Sequence, residues 1–444
     1  MTTAPTTRLI PLPLSTGTVP DAVPVLSSFL AGDAAVLPLP DGPGAAARTR
    51  ATLTALMRPD EPAAPGTLIA CTSGSTGTPK GAVLRTPALD ASARATAELV
   101  ADHWGVSPGP WLLALPPHHI AGLQVILRSL HAGFTPHVTD PDLDGFTAAT
   151  RALRAAHPGE DLHTSLVPTQ LVRILRDPAA TAALREYASV LVGGAATPPD
   201  VLARCRDAGV HILLTYGSSE TSGGMVYDGR PLPGTSVTLE DPDAAGVGRV
   251  LLHGPTVAEG YRNVPAGADG TAGPDDAFPR PGTFRTSDLG RIDDGVLTVL
   301  GRADGAVNTG GLKVLPEEVE AALAAAVPGA TACALGVPDP EWGEAVVAVV
   351  ATAPGAGVGV PRVDDDTTAT AAAAAAPGAA ADPADPATPV DVTPRLRALL
   401  HDAATPAHLI PRRVWRVPAL PLTGPGKVDR VTVRRTVTAL LDRG

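Results

Sequence analysis

Aromatic side chains make up only 3% of this chain of 444 residues. A core without them has to be packed from Ala, Val and Leu, and the 44% hydrophobic content suffices for that. Cysteine is nearly absent as well. Cys71, Cys205 and Cys333 are widely separated, odd in number and lack metal-ligand spacing, which excludes a disulfide framework and fits a reducing compartment. No apolar run approaches the roughly 18 residues of a membrane span. The first residues lack the charged-then-apolar pattern of an export signal. A cytoplasmic protein with no integral membrane segment is therefore expected. The net charge of −11 argues against a nucleic-acid partner. The length exceeds what one core usually fills, so two domains are expected.

Lysine is as scarce as cysteine. Among 34 Lys+Arg only Lys80, Lys313 and Lys427 are lysine. Each sits in a glycine-punctuated stretch: Ser73-Gly-Ser-Thr-Gly-Thr-Pro-Lys80-Gly81, Thr309-Gly-Gly-Leu-Lys313-Val314 and Thr423-Gly-Pro-Gly-Lys427-Val-Asp-Arg430. A compact ammonium on a flexible stem does what a planar guanidinium cannot at a point-charge site. Nearby glycine lets backbone N–H groups approach an anion. The pattern implies a protein that handles phosphates and places a mobile lysine on them.

Residues 67–71 read as a short buried strand and 88–104 as an unbroken helix. Strand-like runs follow at 162–167, 190–192, 210–215, 249–253 and 296–300, with helical stretches at 147–157, 170–176 and 200–207. Strands alternating with helices imply parallel βαβ layers. The first sixty residues alternate short apolar runs with Pro and Gly and yield no element. From residue 301 the texture changes. A helix begins at Pro316, strands follow at 331–337 and 345–352, and helices close the chain at 395–404 and 428–442. Residues 353–394 are low in complexity and too poor in apolar content to pack, so a disordered surface insertion is expected there. The fold class expected is α/β. A large N-terminal domain of layered sheets and helices spans 1–301, and a smaller, mobile α+β domain spans 302–444.

The loop 72–81 is not a Walker P-loop, because Pro79 precedes Lys80 and Gly81 follows it. The hydroxyls of Thr72, Ser73, Ser75, Thr76 and Thr78 are nonetheless suited to phosphate oxygens, with Gly74 and Gly77 between them. This stretch resembles the signature of the adenylate-forming superfamily, which includes acyl-CoA synthetases, nonribosomal adenylation domains and luciferases. In the same order follow Leu115-Pro-Pro-His-His-Ile-Ala-Gly122, Val192-Gly-Gly-Ala195, Tyr216-Gly-Ser-Ser-Glu-Thr221 and Phe284-Arg-Thr-Ser-Asp-Leu-Gly290. Gly301-Arg-Ala-Asp304, Gly310-Gly-Leu-Lys-Val314 and Pro421-Leu-Thr-Gly-Pro-Gly-Lys427 complete the set. The resemblance covers roughly 65–435, less the insertion.

It implies ATP, CoA and Mg²⁺ as cofactors. Glu220 would hold Mg²⁺, a hard ion that takes oxygen ligands. Ser218 and Ser219 would meet phosphate, and Lys80 would stand in the phosphate loop. Gly193, Gly194, Ala195, Tyr216 and Gly217 would line the adenine slot. Asp288 would accept from the ribose hydroxyls, although Ser287 departs from the family's usual Thr-Gly-Asp. Arg302 either reaches ribose or phosphate or is a surface arginine. Lys427 resembles the catalytic lysine that neutralises charge between the attacking carboxylate and the α-phosphate. Asp304 matches the hinge about which the C-terminal domain rotates between half-reactions. Gly310 and Gly311 would line a pantetheine tunnel. Lys313 reads equally well as a strand-edge lysine.

His118-His119-Ile-Ala-Gly-Leu-Gln and Ser165-Leu-Val-Pro-Thr-Gln-Leu171, together with a short N-terminal region, resemble the o-succinylbenzoate–CoA ligases of menaquinone biosynthesis. Arg128 lies in an apolar helix-like run, where a charge is normally paired or liganded. It either attracts a substrate carboxylate or is a snorkelling or salt-bridged structural arginine. His118 or His119 gates the acyl pocket or caps a helix. The expected partners are a small-molecule carboxylic acid, ATP and CoA, with a homodimer left open. The alternatives are a ligase for another aryl or fatty acid, one that loads a carrier protein, and a catalytically silent nucleotide-binding protein of the same fold.

Overall fold

The computed structural model describes residues 6–72, 78–263, 277–352, 389–423 and 427–441. Two compact units divide the chain: Met1–Val299 with Lys427, and Leu300–Thr423 with Val428–Gly444.

The larger unit begins with a sheet of which the sequence reveals only the strand at 67–71. It is formed by β1 (Thr7–Leu14), β2 (Ala35–Pro40), β3 (Pro62–Ala63), β4 (Thr67–Thr72) and β5 (Lys80–Arg85), in the order β3–β1–β2–β4–β5. Proline hides β1 and β2. Pro11 and Pro13 lie in β1, and Pro38 and Pro40 in β2. A residue with no N–H normally argues against a strand. Here the neighbouring strands stop early: β3 pairs only with Thr7 and Arg8, and β4 meets β2 only at Val36↔Leu68. The missing donors cost little, because those edges have no ladder to complete.

The second sheet holds β6 (Trp111–Leu113), β7 (His137–Val138), β8 (Leu162–Leu166), β9 (Tyr187–Gly193), β10 (Ile212–Ser218), β11 (Gly223–Tyr227) and β12 (Arg230–Pro231). Its order is β12–β11–β10–β9–β8–β6–β7. The five strands from β7 to β10 are parallel, as the alternation of strands and helices implies. The last two turn back antiparallel.

Eight helices clothe these sheets: α1 (Val19–Leu30), α2 (Ala45–Met57), α3 (Thr86–Trp104), α4 (Ile120–His131), α5 (Phe146–Ala156), α6 (Pro168–Ile174), α7 (Pro178–Leu184) and α8 (Pro199–Asp207). α1, α3 and α4 share one core with the inner faces of both sheets. α2 covers the outer face of the first sheet, and α5 to α8 cover that of the second. α4 lies deepest, with every residue from Gly122 to Ser129 buried. Burying Leu123, Val125, Ile126 and Leu127 contributes about 1.5–3 kcal/mol each, enough to carry one arginine into the same helix. A third, antiparallel sheet follows, of β13 (Ser236–Glu240), β14 (Gly248–His253), β15 (Thr283–Asp293) and β16 (Val296–Arg302).

The smaller unit is α+β. Its sheet runs β18 (Leu312–Val314), β17 (Val307–Thr309), β20 (Gly343–Thr352), β22 (Arg413–Val417) and β21 (Val390–Asp391), with β19 (Ala330–Asp339) against β20. Helices α9 (Pro316–Ala326) and α10 (Thr393–Asp402) pack on one face and α11 (Arg430–Leu441) on the other. Two expectations need correction here. Most of the low-complexity segment lies outside the described residues, but its expected end at 394 is too late. Val390–Asp391 already pairs with β22, and α10 starts at Thr393. The closing helix starts at Arg430, because Lys427–Val428 is a short strand.

Candidate active site

The motifs of the larger unit gather where its parallel strands end. β6 runs toward His118 and His119, β9 ends at Gly193, and β10 ends at Ser218. Ligands of open α/β sheets bind outside these carboxyl ends. The glycines there have a structural reason as well. A Cβ on Gly193 would overlap the Thr215 side chain, and one on Gly217 would overlap the Gly223 carbonyl of β11. Gly194, at φ +86°, holds a conformation that side chains rarely adopt. Gly194 and Ala195 are exposed, so the end of β9 stays open to a ligand.

After β10 the turn Ser219–Thr221 buries Glu220 to 7% exposure. The turn is closed locally: the Ser218 N–H donates to Thr221 Oγ1 at 2.9 Å. The Tyr261 hydroxyl donates to Glu220 Oε1 at 2.8 Å. Tyr216 donates its hydroxyl to Asp288 Oδ2 at 2.5 Å and so ties β10 to β15. Ser218 Oγ is buried without a partner, which is costly unless a ligand completes it. A buried carboxylate, an orphaned hydroxyl and a second carboxylate within one strand end form a set of hard oxygen groups, which fits a nucleotide with Mg²⁺.

His119 caps the start of α4 and His118 precedes it, with ring centroids 4.2 Å apart. Burial, helped by the adjacent imidazole, pushes His118 down to about 4, and burial likewise lowers His119. Both are neutral near pH 7. Gln124 anchors this end of α4, donating to the Ser222 carbonyl just past the Glu220 turn at 2.5 Å. In the phosphate loop, Thr72 is half-buried opposite Lys80 across β4 and β5, and Thr78 is exposed. Ser73, Gly74, Ser75, Thr76 and Gly77 lie outside the described residues.

Arg128 stands apart from this group, nine residues and roughly 13 Å of helix rise beyond His119. It is 7% exposed, and among the described residues no carboxylate pairs with it. Its Nη2 donates to the Tyr227 hydroxyl at 3.3 Å, its guanidinium lies 5.5 Å from the Trp111 ring centroid, and its Nε is buried without a partner. It lines a cavity of about 230 Å³ with Arg94, Thr96, Trp111, His163 and Ser189. The reading of a salt-bridged structural arginine is not what the geometry gives.

In the smaller unit, Arg302 forms a bidentate pair with Asp304 at 2.9 and 2.6 Å. Gly310 and Gly311, with φ of +55° and +80°, form the two-residue turn of the β17–β18 hairpin, a turn that favours glycine at both positions. A Cβ on Gly310 would also overlap the Trp342 ring. Lys313 lies exposed on β18; Lys427, which groups with the larger unit, is exposed in its short strand. The three thiols are poor nucleophile candidates: burial pushes Cys71 and Cys333 up to about 12 and Cys205 to about 11.

Sequence reasoning missed Tyr227, Tyr261 and Asn263. A signal was available, since the chain has only four tyrosines. Tyr216, Tyr227 and Tyr261 each hold the charged group of a candidate residue, and the fourth, Tyr187, meets Thr150 at 2.9 Å in the core.

This sheet order, with acids and glycines at the strand ends, defines a nucleotide-binding α/β enzyme. The chain belongs to the AMP-binding enzyme family, whose profile matches residues 26–262. It is 41% identical over 382 residues to a probable 2-succinylbenzoate–CoA ligase of Mycobacterium tuberculosis, covering 85% of this chain and 86% of that one. It is 31% identical over 299 residues to the 2-succinylbenzoate–CoA ligase of Enterococcus faecalis, covering 63% of this chain and 58% of the relative. Its fold is similar to the o-succinylbenzoate CoA synthetase of Bacillus subtilis in complex with the acyl-adenylate intermediate OSB-AMP. There the TM-score is 0.61 at 23% identity, over 82% of this chain and 68% of that one.

Proposed function

We propose that this chain is an AMP-forming acid–CoA ligase that converts 2-succinylbenzoate to its CoA thioester, a step of menaquinone biosynthesis. In the first half-reaction a carboxylate oxygen of the acid attacks the α-phosphorus of ATP and pyrophosphate leaves. In the second the CoA sulfur attacks the acyl carbon and AMP leaves. Asp288, fixed by Tyr216, holds the ribose. Ser218 and Ser219 meet phosphate, and the exposed strand end at Gly194 and Ala195 takes the adenine. Mg²⁺, when bound by Glu220, would offset the charge of the triphosphate. Neutral His118 and His119 offer hydrogen bonds to the reacting carboxylate without forming a dead-end ion pair with it. Lys427 supplies the ammonium that neutralises charge as the acid attacks. Asp304, paired with Arg302, is the hinge residue, and Gly310–Gly311 lines the passage of the pantetheine.

The choice of acid rests on the 2-succinylbenzoate–CoA ligases to which this chain is similar, and Arg128 is our candidate for the carboxylate that is not activated. A buried guanidinium without a carboxylate partner is costly to maintain, and a dicarboxylic acid would complete it with the carboxylate that is not activated. The cavity of Arg128 lies at the starts of β6, β8 and β9, with Trp111, His163 and Ser189 in its wall. Trp111 supplies a flat wall for an aryl body. The test is to incubate purified protein with ATP, CoA and a panel of acids and to read AMP release. 2-Succinylbenzoate should give the highest kcat/KM, and an analogue lacking the benzoate carboxyl should fall well below it. Equal rates with both would remove the assigned substrate. Nucleotide binding with no acid-dependent AMP would favour the catalytically silent alternative.

A further inference from the structure

One short segment touches both charged groups assigned to the phosphate end of the site. Residues 258–263 run alongside β5: the Val83 N–H donates to the Gly260 carbonyl at 2.9 Å, the Glu259 N–H to the Val83 carbonyl at 2.9 Å, and the Arg262 N–H to the Gly81 carbonyl at 2.8 Å. Asn263 brackets Lys80 along the backbone. Its Oδ1 accepts from the Gly81 N–H at 3.0 Å, and its Nδ2 donates to the Pro79 carbonyl at 2.8 Å. Arg262 anchors the segment to the end of α2, donating to the carbonyls of Met57, Arg58 and Glu61 at 2.6–2.9 Å.

The same segment holds Glu220 from two sides. The Ala258 N–H donates to the Glu220 backbone carbonyl at 2.8 Å, and the Tyr261 hydroxyl donates to its carboxylate. The Tyr261 ring lies 5.2 Å from Lys80 Nζ, within cation–π range. Phe278 fixes the ring edge-on at 5.1 Å. Lys80 and Glu220 are opposite charges in one small region, yet they form no ion pair with each other. Tyr261 engages each of them with a different part of one side chain, the ring with Lys80 and the hydroxyl with Glu220.

We propose that Tyr261 and Asn263 are positioning residues that keep the Lys80 ammonium and the Glu220 carboxylate apart. Each charge then stays available to its own ligand, the ammonium to the triphosphate and the carboxylate to Mg²⁺. An ion pair between them would neutralise both before substrate arrived. This inference rests on the reading of Glu220 as the magnesium ligand, and its test is chosen to fail separately from that reading.

Equilibrium binding of ATP, measured by calorimetry across a magnesium titration, needs neither acid nor turnover. Tyr261→Phe keeps the ring and removes the hydroxyl. It should raise the Mg²⁺ concentration for half-maximal ATP binding by about 10–100-fold, the effect of losing one hydrogen bond to a charged group. ATP binding at saturating Mg²⁺ should change little. Tyr261→Leu removes the spacer itself and should weaken ATP binding at every Mg²⁺ concentration. Asn263→Ala should weaken ATP binding with the Mg²⁺ dependence unchanged. Thermal unfolding of each variant shows whether it is folded. Wild-type magnesium dependence in a folded Tyr261→Phe overturns the inference, as does a parallel loss by Tyr261→Phe and Asn263→Ala. An absence of acid-dependent AMP release in the wild type would instead overturn the proposed function and leave this binding test standing.

Discussion

The two ends of α4 are chemically opposite. At its start stand two imidazoles that burial keeps uncharged. Near its end stands a buried guanidinium. The difference follows from side-chain chemistry: burial neutralises a histidine, whereas it cannot deprotonate an arginine. The end nearest the nucleotide strands thus carries groups that do not compete for the reacting carboxylate. The remote end carries a permanent charge suited to recognition. One helix, buried from Gly122 to Ser129, fixes the spacing between the two ends.

Four variants test that division, from the largest expected effect to the smallest. Lys427 is our candidate for the charge that the histidine end lacks. Lys427→Ala should lower acid-dependent pyrophosphate exchange by about 10²–10³-fold, the usual effect of removing a preorganised charge partner. Thioester formation from preformed acyl-adenylate should be nearly unchanged, and equal losses in both steps would refute the role. Arg128→Leu should reduce kcat/KM for 2-succinylbenzoate by roughly 10–100-fold, as expected for one charged hydrogen-bonded contact. Its effect on a monocarboxylic analogue should be small, and a matching loss there would make Arg128 structural. Tyr227→Phe leaves the guanidinium in place without its neutral partner, so KM for the dicarboxylic acid should rise about 3–10-fold with kcat unchanged.

The smallest effect is on stability. His118 has a folded value of about 4 against an ordinary value near 6.5. Between those two values the unfolded chain binds more protons, so stability is complete above about pH 6.5 and falls as pH drops toward 4. Melting curves from pH 7 to pH 4.5 should show a shallower decline in Tm for His118→Gln than for the wild type. An unchanged slope would mean that His118 is not buried neutral.

Much of the second sheet was legible, because parallel strands buried on both faces leave continuous Val and Leu runs, as at 190–192. The glycine motifs were legible too, although for mixed reasons. Gly193 and Gly217 are required by the close approach of Thr215 and Gly223 as much as by any ligand. Gly310 and Gly311 are required by a hairpin turn. In the first sheet β1 and β2 were hidden by their prolines while β4 was legible at 67–71, and β15 was hidden by the polar run Arg-Thr-Ser-Asp within it. Tyr261 and Asn263 were missed because neither belongs to a motif singled out in the sequence. Their contacts, to Glu220 across 41 positions and to Gly81 across 182, are set by the tertiary fold alone. Reading scarcity of tyrosine as scarcity of lysine was read would have pointed to three of the residues that matter.

The prolines of the first sheet have one more consequence. An incoming strand can zip onto a sheet margin only where that margin offers a regular row of amide hydrogens. β1 and β2 lack four such hydrogens, at Pro11, Pro13, Pro38 and Pro40, in the stretches where their neighbours end. A half-assembled chain leaving the ribosome thus presents a poor template for pairing with its own copies, and replacing these prolines with valine should make refolding more prone to aggregation.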